Sequence, residues 1–240
     1  MWIVYVVLVT ILLCFALDNK SEYFYGYFKD LKTILSSPLR WDLKNWIYLT
    51  IVVILTIVIY SIDPYIQAFA QDNVNNITII ISRDAKLFGS NNFIFVLLAS
   101  MFICGIIFKD KLIRKTALLG LESLLITALF IQILKFSFHR HRPNTGDSYN
   151  IFDGPGLSGE NLYLSFPSGH ASVAFSVLSI IAKEYSHIPI IPPVAYSIAT
   201  LTAFSRVHDN VHWASDVFFG GVIAYFIAKS IVDSRKNSQF

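Results

Sequence analysis

The chain has 240 residues, of which 55% are hydrophobic and only 15% are charged. Soluble globular domains are usually about a quarter charged, and the apolar residues here are clustered into long runs. This composition therefore excludes an ordinary soluble protein and favours a polytopic membrane protein. The net charge of +3 is small and the basic residues lie in a few loops, a pattern that indicates membrane orientation and argues against nucleic-acid binding.

Apolar segments recur along the whole chain. Because lipid offers no hydrogen bonds to a bare backbone, each segment that spans the membrane is predicted to be a helix. The segments cover about residues 2–17, 46–62, 93–108, 117–138, 169–183, 189–204 and 214–232. The predicted fold is all-α, a polytopic membrane helical bundle in one membrane domain.

The first segment, 2–17, lacks a positively charged start and a good cleavage site, so it is predicted to be an uncleaved anchor with its N-terminus outside. A cleaved signal peptide is the alternative. Residues 21–45 mix aromatic and basic side chains and predict an interfacial helix on the cytoplasmic surface. Residues 64–90 contain a short Ile-rich run, which is interpreted either as an interfacial segment lining a lipid entry or as a plain loop.

Loop charge assigns the two sides of the membrane, because short cytoplasmic loops carry an excess of Lys and Arg. The stretch 109–115 is the most basic and is predicted to face the cytoplasm. Counting spans from there places 18–45, Lys183 and the C-terminal tail on the same side. The opposite, non-cytoplasmic face then carries 63–92, 139–168 and 205–213.

Three polar clusters fall on that non-cytoplasmic face, and ionisable groups at a membrane edge are costly enough to suggest a function. In the first cluster, Arg142 and Pro143 follow Lys135 by two helical turns. Pro143 disfavours helix at Arg142, which is therefore predicted to lie on the turn that leaves the helix. Taken alone, Lys135 is better explained as a lysine snorkelling to the membrane surface. No role is assigned to His139 or His141.

The second cluster is Pro167-Ser168-Gly169-His170, at the start of an apolar segment. Ser168 is a natural N-cap, and the free N–H groups of a helix N-terminus bind anions. Gly169 lets the backbone approach a ligand closely. An ordinary capped helix start would explain Ser168 but not His170. The preceding Gly-containing residues 144–166 are interpreted as a lid over the site or as a plain mobile linker.

The third cluster contains Arg206, His212 and Asp216. If the last helix begins near His212, the Asp216 carboxylate, four residues on, can accept a hydrogen bond from one imidazole nitrogen and leave the other available as a nucleophile or metal ligand. A structural His–Asp hydrogen bond is the simpler alternative. Arg206 offers a planar fork suited to phosphate oxygens. His208 and Asp209 are predicted to be solvated loop residues.

Together, the three clusters resemble, position for position, the signature of the type 2 phosphatidic acid phosphatase family, over roughly residues 90–230. That superfamily also includes soluble bacterial acid phosphatases and vanadium haloperoxidases. The resemblance implies a six-helix phosphatase core to which the first apolar helix is an addition. The expected domains are an N-terminal anchor and interfacial segment at 1–45, a membrane phosphatase domain at 46–232 and a cytoplasmic tail at 233–240.

The resemblance also implies a role for each residue of the clusters. His212 attacks phosphorus and forms a phosphohistidine, Asp216 holds its tautomer, and His170 protonates the leaving group. The phosphate oxygens are held by Lys135, Arg142, Arg206, Ser168 and Gly169. Three cations and a helix N-terminus can neutralise a phosphoryl group, and no cluster with metal-ligand spacing is evident in the sequence, so neither a metal nor a cofactor is expected.

The leading hypothesis is a metal-independent, integral-membrane lipid phosphate phosphatase. Its substrate would be a lipid phosphomonoester or diphosphate such as undecaprenyl diphosphate, phosphatidylglycerophosphate, phosphatidic acid or a lipid A phosphate. The alternatives are a non-catalytic phospholipid-binding or transport protein with the same cage and, less favoured, a vanadate-dependent oxidase. Membrane lipids are the expected surroundings. The expected location is the bacterial inner (plasma) membrane, with the site facing the periplasm or the exterior.

Overall fold

The computed structural model of the protein describes residues 20–156 and 159–236. The helix predicted over 2–17, with its anchor and signal alternatives, lies outside these residues. The chain divides into two compact units, one ending at Trp41 and the other beginning at Asp42.

The first unit contains helix α1 (Lys20–Leu35) and a 3-10 turn, Ser37–Arg40. The turn is closed by the Arg40 guanidinium, which donates hydrogen bonds to the Thr33 carbonyl at 3.0 Å and to Ser36 Oγ at 2.9 Å. The structure therefore shows a helix within 21–45, while its placement on a membrane surface stays a prediction.

The second unit is built from helices, and no β-strand occurs in the part of the chain that the structure describes. This confirms the predicted all-α fold. The α-helices are α2 (Leu43–Ser61), α3 (Asp63–Asp72), α4 (Asn76–Ala85), α5 (Asn91–Ile107), α6 (Lys111–Phe138), α7 (Gly169–Glu184), α8 (Ile191–His208) and α9 (Ala214–Lys236). Short 3-10 turns occupy Lys86–Gly89, Pro143–Thr145 and Asn161–Tyr163.

Short polar side chains fix where several helices begin. Asp42 accepts a hydrogen bond from the Asn45 backbone N–H at the start of α2. Asp110 does the same for Leu112 and Ile113 at the start of α6. Such caps satisfy N–H groups that have no partner inside the helix.

Residues 64–90 form helices α3 and α4 and a 3-10 turn, so the plain-loop interpretation of this region is wrong. Asn75 and Thr78 form a reciprocal capping box that starts α4. The Ile-rich run lies on α4, with Ile77 71% and Ile80 50% exposed. The interfacial interpretation stays a prediction.

Helix α7 lies at the centre of the bundle, packed against α6, α8 and α9. Its contact with α8 is built from small residues, which let two helices approach closely in a membrane protein. The residues of this contact are Ala174, Leu178, Ala182, Ala195 and Ala199.

The outer helices carry the lipid-facing surface. In the described residues, α2, α6 and α9 are each long and apolar enough to cross a membrane, and α4, its 3-10 turn and α5 qualify as a fourth span with a bend of 61°. Helix α2 buries none of its residues against the rest of the protein. Helices α7 and α8, of 16 and 18 residues, fall outside that test of length and composition. Both were predicted as membrane spans. A helix that is surrounded by protein can carry buried polar side chains, such as Ser176 of α7, and these make it less apolar than a helix that faces lipid.

Helices α7, α8 and α9 are joined by short connections and pack against one another, so they alternate in direction. The long segment 139–168 joins α6 to α7, and the Lys135 side chain at the end of α6 lies beside Gly169 at the start of α7. The C-terminal ends of α6 and α8 and the N-terminal ends of α7 and α9 therefore share one end of the bundle. The basic stretch 109–115 lies at the other end.

Candidate active site

The first cluster begins at the end of α6. Lys135 lies in its last turn, is 9% exposed, and donates a hydrogen bond from Nζ to the Leu164 carbonyl. The Lys135 side chain also reaches the second cluster, because a Cβ atom placed on Gly169 would lie 3.9 Å from Lys135 Cε. Lys135 therefore points into the protein beside α7, and the snorkelling interpretation is wrong.

Arg142 lies beyond the end of α6, on an extended segment. The helix ends at Phe138, where His139 adopts a left-handed conformation with φ of 43° and donates its backbone N–H to the Lys135 carbonyl. This is the predicted end of the apolar segment 117–138, and it leaves Arg142 outside the helix, as Pro143 indicated. Arg142 is half-buried, and its Nε makes no hydrogen bond within the described residues. A buried guanidinium N–H without a protein acceptor is available to an anion.

Ser168 is the N-cap of α7, as predicted, and its Oγ accepts from the Ala171 backbone N–H at 3.5 Å. The Ser168 backbone N–H donates to the Asp216 carbonyl at 3.0 Å, which joins the second cluster to the third. His170 follows in the first turn of α7 and packs against the 3-10 turn at Gly89. A Cβ atom on Gly89 would lie 2.7 Å from His170 Cβ, so only glycine fits there.

Arg206 lies in the last turn of α8 and is 7% exposed. Its Nη2 donates to Asp209 Oδ2. The other oxygen of Asp209 accepts from Ser82 Oγ of α4 at 2.5 Å. His208 is also buried, at 6% exposure. The prediction that His208 and Asp209 are solvated is therefore wrong for His208, which is buried, and only partly right for Asp209, because α4 packs over the turn that follows α8 and covers part of that side chain.

His212 lies in the turn directly before α9, which begins two residues later at Ala214. Its Nδ1 is 3.6 Å from Asp216 Oδ2, longer than a direct hydrogen bond. The same carboxylate oxygen accepts from Ser165 Oγ at 2.5 Å and from the Trp213 backbone N–H at 2.9 Å. Ser165 Oγ also lies 3.4 Å from His212 Nδ1.

Electrostatic interactions link residues of all three clusters at this end of the bundle. Burial holds the pKa of His212 down at about 3, and the charges of Lys135 and Arg142 act in the same direction while Asp216 opposes them. His212 is therefore neutral at pH 7. Arg206, Arg142 and Lys135 also interact electrostatically with His170. Two imidazoles and three cations thus share one buried site.

The segment between α6 and α7 is folded back on itself in its described parts. The Asp153 backbone N–H donates to the His139 carbonyl at 3.0 Å, and the Arg142 N–H donates to the Leu162 carbonyl at 3.0 Å. His141 Nδ1 lies 2.7 Å from Asp147 Oδ2 and its Nε2 lies 2.6 Å from Asp153 Oδ2. We call His141, Asp147 and Asp153 the His141 clamp. These contacts argue against a plain mobile linker.

Several side chains of the site were missed by sequence reasoning. Arg140 donates to Asp216 Oδ1 at 2.6 Å and to Asp63 Oδ2 at 2.8 Å, and both carboxylates are fully buried. The available signals were a third cation beside Arg142 and a lone carboxylate at the end of an apolar run, which is costly in a membrane protein. The pairing across 77 positions of the chain, from Asp63 to Arg140, could not be read from sequence.

In the part of the chain that the structure describes, no group of three or more His, Cys, Asp or Glu side chains could hold a metal ion. The phosphate-binding chemistry available here is that of three cations and a helix N-terminus. The expectation of a metal-independent site stays a prediction.

Comparison with known proteins places this site in a family. Residues 116–239, more than half of the chain, match the model of the PAP2 superfamily. The chain belongs to the PAP2 superfamily. This confirms the resemblance found in the sequence, and all three clusters lie within the matched residues.

Named relatives of this PAP2 protein act on lipids according to their names. Lipid phosphate phosphatase 2 of Arabidopsis thaliana is 26% identical over an alignment of 220 positions, which covers 79% of this chain and 75% of that protein. Lipid A 1-phosphatase of Porphyromonas gingivalis is 33% identical over 96 residues, which are 40% of this chain and only 18% of that protein.

Solved structures share the fold of this PAP2 protein. The PAP2 type phosphatidylglycerolphosphate phosphatase from Bacillus subtilis has a TM-score of 0.62 at 21% identity, covering 78% of this chain and 96% of that one. LpxE of Aquifex aeolicus has a TM-score of 0.54 at 20% identity, covering 70% and 92%. With its apolar helices and these membrane relatives, the protein is an integral membrane protein.

Proposed function

We propose that this PAP2 protein is a lipid phosphate phosphatase that works through a phosphohistidine on His212. The observation that carries the proposal is the convergence of Lys135, Arg142 and Arg206 with two imidazoles at one end of the bundle. The unpartnered Nε of Arg142 supports an anionic ligand at this place. Phosphoryl transfer depends mainly on positioning and on neutralising spread negative charge, which this set of groups supplies.

In the first step, His212 Nε2 donates its electron pair to phosphorus, and the bond from phosphorus to the leaving oxygen breaks. The low pKa of His212 keeps it neutral, so the pair is available at physiological pH. Asp216, 3.6 Å from Nδ1, stabilises the cation that forms on the ring. Lys135, Arg142 and Arg206 hold the three other phosphate oxygens with the N-terminal N–H groups of α7, where Ser168 and Gly169 lie.

His170 is assigned the proton transfers. It gives a proton to the leaving oxygen in the first step and takes one from the attacking water in the second. That water forms a bond to phosphorus, the phosphorus–nitrogen bond breaks, and inorganic phosphate leaves with His212 restored. No proton or electron is left over after the two steps.

The substrate class follows from the surroundings of the site. A site at the edge of an apolar bundle suits a substrate whose tails stay in lipid and whose phosphate reaches the helix ends. The candidates are undecaprenyl diphosphate, phosphatidylglycerophosphate, phosphatidic acid and lipid A phosphates. The basic stretch 109–115 lies at the end of the bundle opposite the site, which supports a site on the non-cytoplasmic face, the periplasmic face in a bacterial inner membrane.

The test is phosphate release by detergent-purified protein from a panel of these lipids, with His212→Ala as the inactive variant. We expect turnover to fall about 10³-fold or more together with loss of covalent phosphate labelling. His187→Ala, an exposed histidine at the opposite end of the bundle, serves as the matched control. Binding of a lipid phosphate without release of phosphate would favour the non-catalytic alternative. Full activity of His212→Ala would refute the mechanism.

The face of the membrane is tested separately by reporter fusions. A reporter after Lys115 is expected to be cytoplasmic, and one within 144–156 is expected to be external. The opposite pattern would place the site on the cytoplasmic side and change the set of candidate lipids.

A further inference from the structure

Arg140 is a third arginine near the site, but it does not face the phosphate-binding groups. It is 1% exposed and binds two carboxylates. Its guanidinium carbon also lies 4.9 Å from the ring centre of Tyr60 and 5.4 Å from that of Trp213. A guanidinium enclosed in this way has a fixed orientation and cannot reach a substrate, so it acts on the site through its partners.

Arg140 holds Asp216 on the side away from His212. Its Nη1 donates to Asp216 Oδ1 at 2.6 Å, while Oδ2, the oxygen facing His212, accepts from Ser165 and from the Trp213 backbone. The two carboxylate oxygens therefore have separate sets of donors. Rotation of the Asp216 carboxylate would break both sets.

Asp63 completes this arrangement from a different helix. It is fully buried at the start of α3, and its Oδ2 accepts from Arg140 Nη2 at 2.8 Å. Its Oδ1 accepts from the backbone N–H of Ser215 at 2.9 Å, and Ser215 Oγ also donates to the Asp63 carboxylate. Asp63 thus holds both Arg140 and the first turn of α9, the turn that carries Asp216. It lies outside the residues that match the PAP2 superfamily.

The charges of Arg140, Asp216 and Asp63 explain why a second carboxylate is needed. A buried guanidinium paired with Asp216 alone would neutralise the carboxylate that faces His212. With Asp63 present, two carboxylates share one guanidinium, and one negative charge remains to balance the cation that forms on His212. Removing either Asp63 or Arg140 changes this balance, but in opposite directions.

We propose that Asp63 and Arg140 are positioning residues that orient Asp216 toward His212 and keep one net negative charge beside the imidazole. This proposal rests on the proposed function, because it concerns the same nucleophile. It predicts an effect on the chemical step and none on the binding of phosphate, since neither residue faces the groups assigned to hold phosphate.

The test is a double-mutant cycle in detergent-purified protein, with kcat and KM measured on the best lipid phosphate of the panel. We expect Asp63→Asn, which keeps the shape of the side chain, to lower kcat about tenfold with KM unchanged within about twofold. Arg140→Gln leaves two buried carboxylates without their cation and is expected to lower kcat about 100-fold. The double variant restores the net charge but lacks the hydrogen bond from Arg140 to Asp216, so it is expected to have a higher kcat than Arg140→Gln.

Controls separate this role from a structural one. Asp72→Asn changes an exposed carboxylate at the far end of α3 and is expected to keep wild-type kcat. The concentration of vanadate that halves activity is expected to be the same in the wild type and Asp63→Asn, because the phosphate-binding groups are unchanged. Thermal unfolding shows whether each variant is folded, and Asp63→Asn alone carries the test if Arg140→Gln does not fold.

The outcomes also separate this proposal from the proposed function. Three results would overturn the positioning role alone. The first is a wild-type kcat in Asp63→Asn, and the second is a double variant whose loss of kcat is the product of the single losses. The third is a rise in KM that accounts for the loss of activity. Absence of phosphate release by the wild-type protein from every lipid of the panel would overturn both proposals.

Discussion

Gly89 offers a direct test of how tightly His170 must be held. A Cβ atom at this position would lie 2.7 Å from His170 Cβ, 2.8 Å from the His170 carbonyl oxygen and 2.9 Å from Thr202 Cγ2. Ordinary contacts of this kind begin at about 3.4 Å, so Gly89→Ala must push the 3-10 turn and the start of α7 apart by roughly 0.7 Å. The two nearest of these atoms, the Cβ and the carbonyl oxygen of His170, cannot rotate away.

We expect Gly89→Ala to lower stability by about 1–3 kcal/mol, the usual cost of overpacking. Because a displacement near 1 Å at a catalytic group costs about 10²-fold in rate, kcat should fall by roughly 10- to 100-fold. The assay is phosphate release from a lipid phosphate, with the midpoint of thermal unfolding measured on the same samples. Gly159→Ala is the matched control, since nothing lies within 4 Å of its added methyl group. Equal kcat in the two variants would refute the reasoning.

Other parts of the site give predictions of their own. Asp209→Asn removes the charge that holds Arg206, so KM should rise about tenfold. The control Asp84→Asn, on the exposed surface of α4, should leave KM unchanged. Equal KM values in the two variants would show that Asp209 does not support Arg206. In the His141 clamp, burial lowers the pKa of His141, but the hydrogen bonds and charges of its two aspartates outweigh burial and raise it. The clamp therefore stabilises the loop fully below about pH 6.5 and is lost as pH rises through the raised value. Hydrogen exchange in 144–156, corrected for its intrinsic pH dependence, should accelerate as the pH rises above about 6.5 in the wild type but not in His141→Gln. Matching profiles would exclude the clamp. A chelator should leave the rate unchanged and vanadate should inhibit competitively, and a rate restored only by added magnesium would contradict a site built from cations alone.

The clustering of apolar residues determined much of the fold in advance. Runs of about 16 to 22 apolar residues leave the backbone no alternative to helix in lipid, so α2 and α5 to α9 could be placed from sequence, whereas α3 and α4 could not. Their ends were less certain. The apolar segment 117–138 and Pro143 both indicated that α6 stops before Arg142, and it does end at Phe138, but its start at Lys111 lies six residues before that segment.

The cations and imidazoles of the site could also be recognised from sequence, because charge at membrane edges is costly and seldom accidental. The groups that hold these cations and imidazoles in place could not be recognised from sequence. Asp209 sits in a short polar turn that is solvated in most proteins, and only the packing of α4 over that turn partly buries it beside Arg206. Asp63 and Arg140 meet through the same kind of long-range contact.

The sequence by itself determined which residues could handle a phosphate and which end of the helices carries them, because both follow from local hydrophobicity and charge. Tertiary structure alone decided which groups hold them in place. The partners of Asp216 come from the loop at Arg140 and Ser165 and, through Arg140, from Asp63 on α3. A buried charge is paired with whatever the fold brings within about 3 Å of it, and that choice depends on the packing of helices distant in the chain.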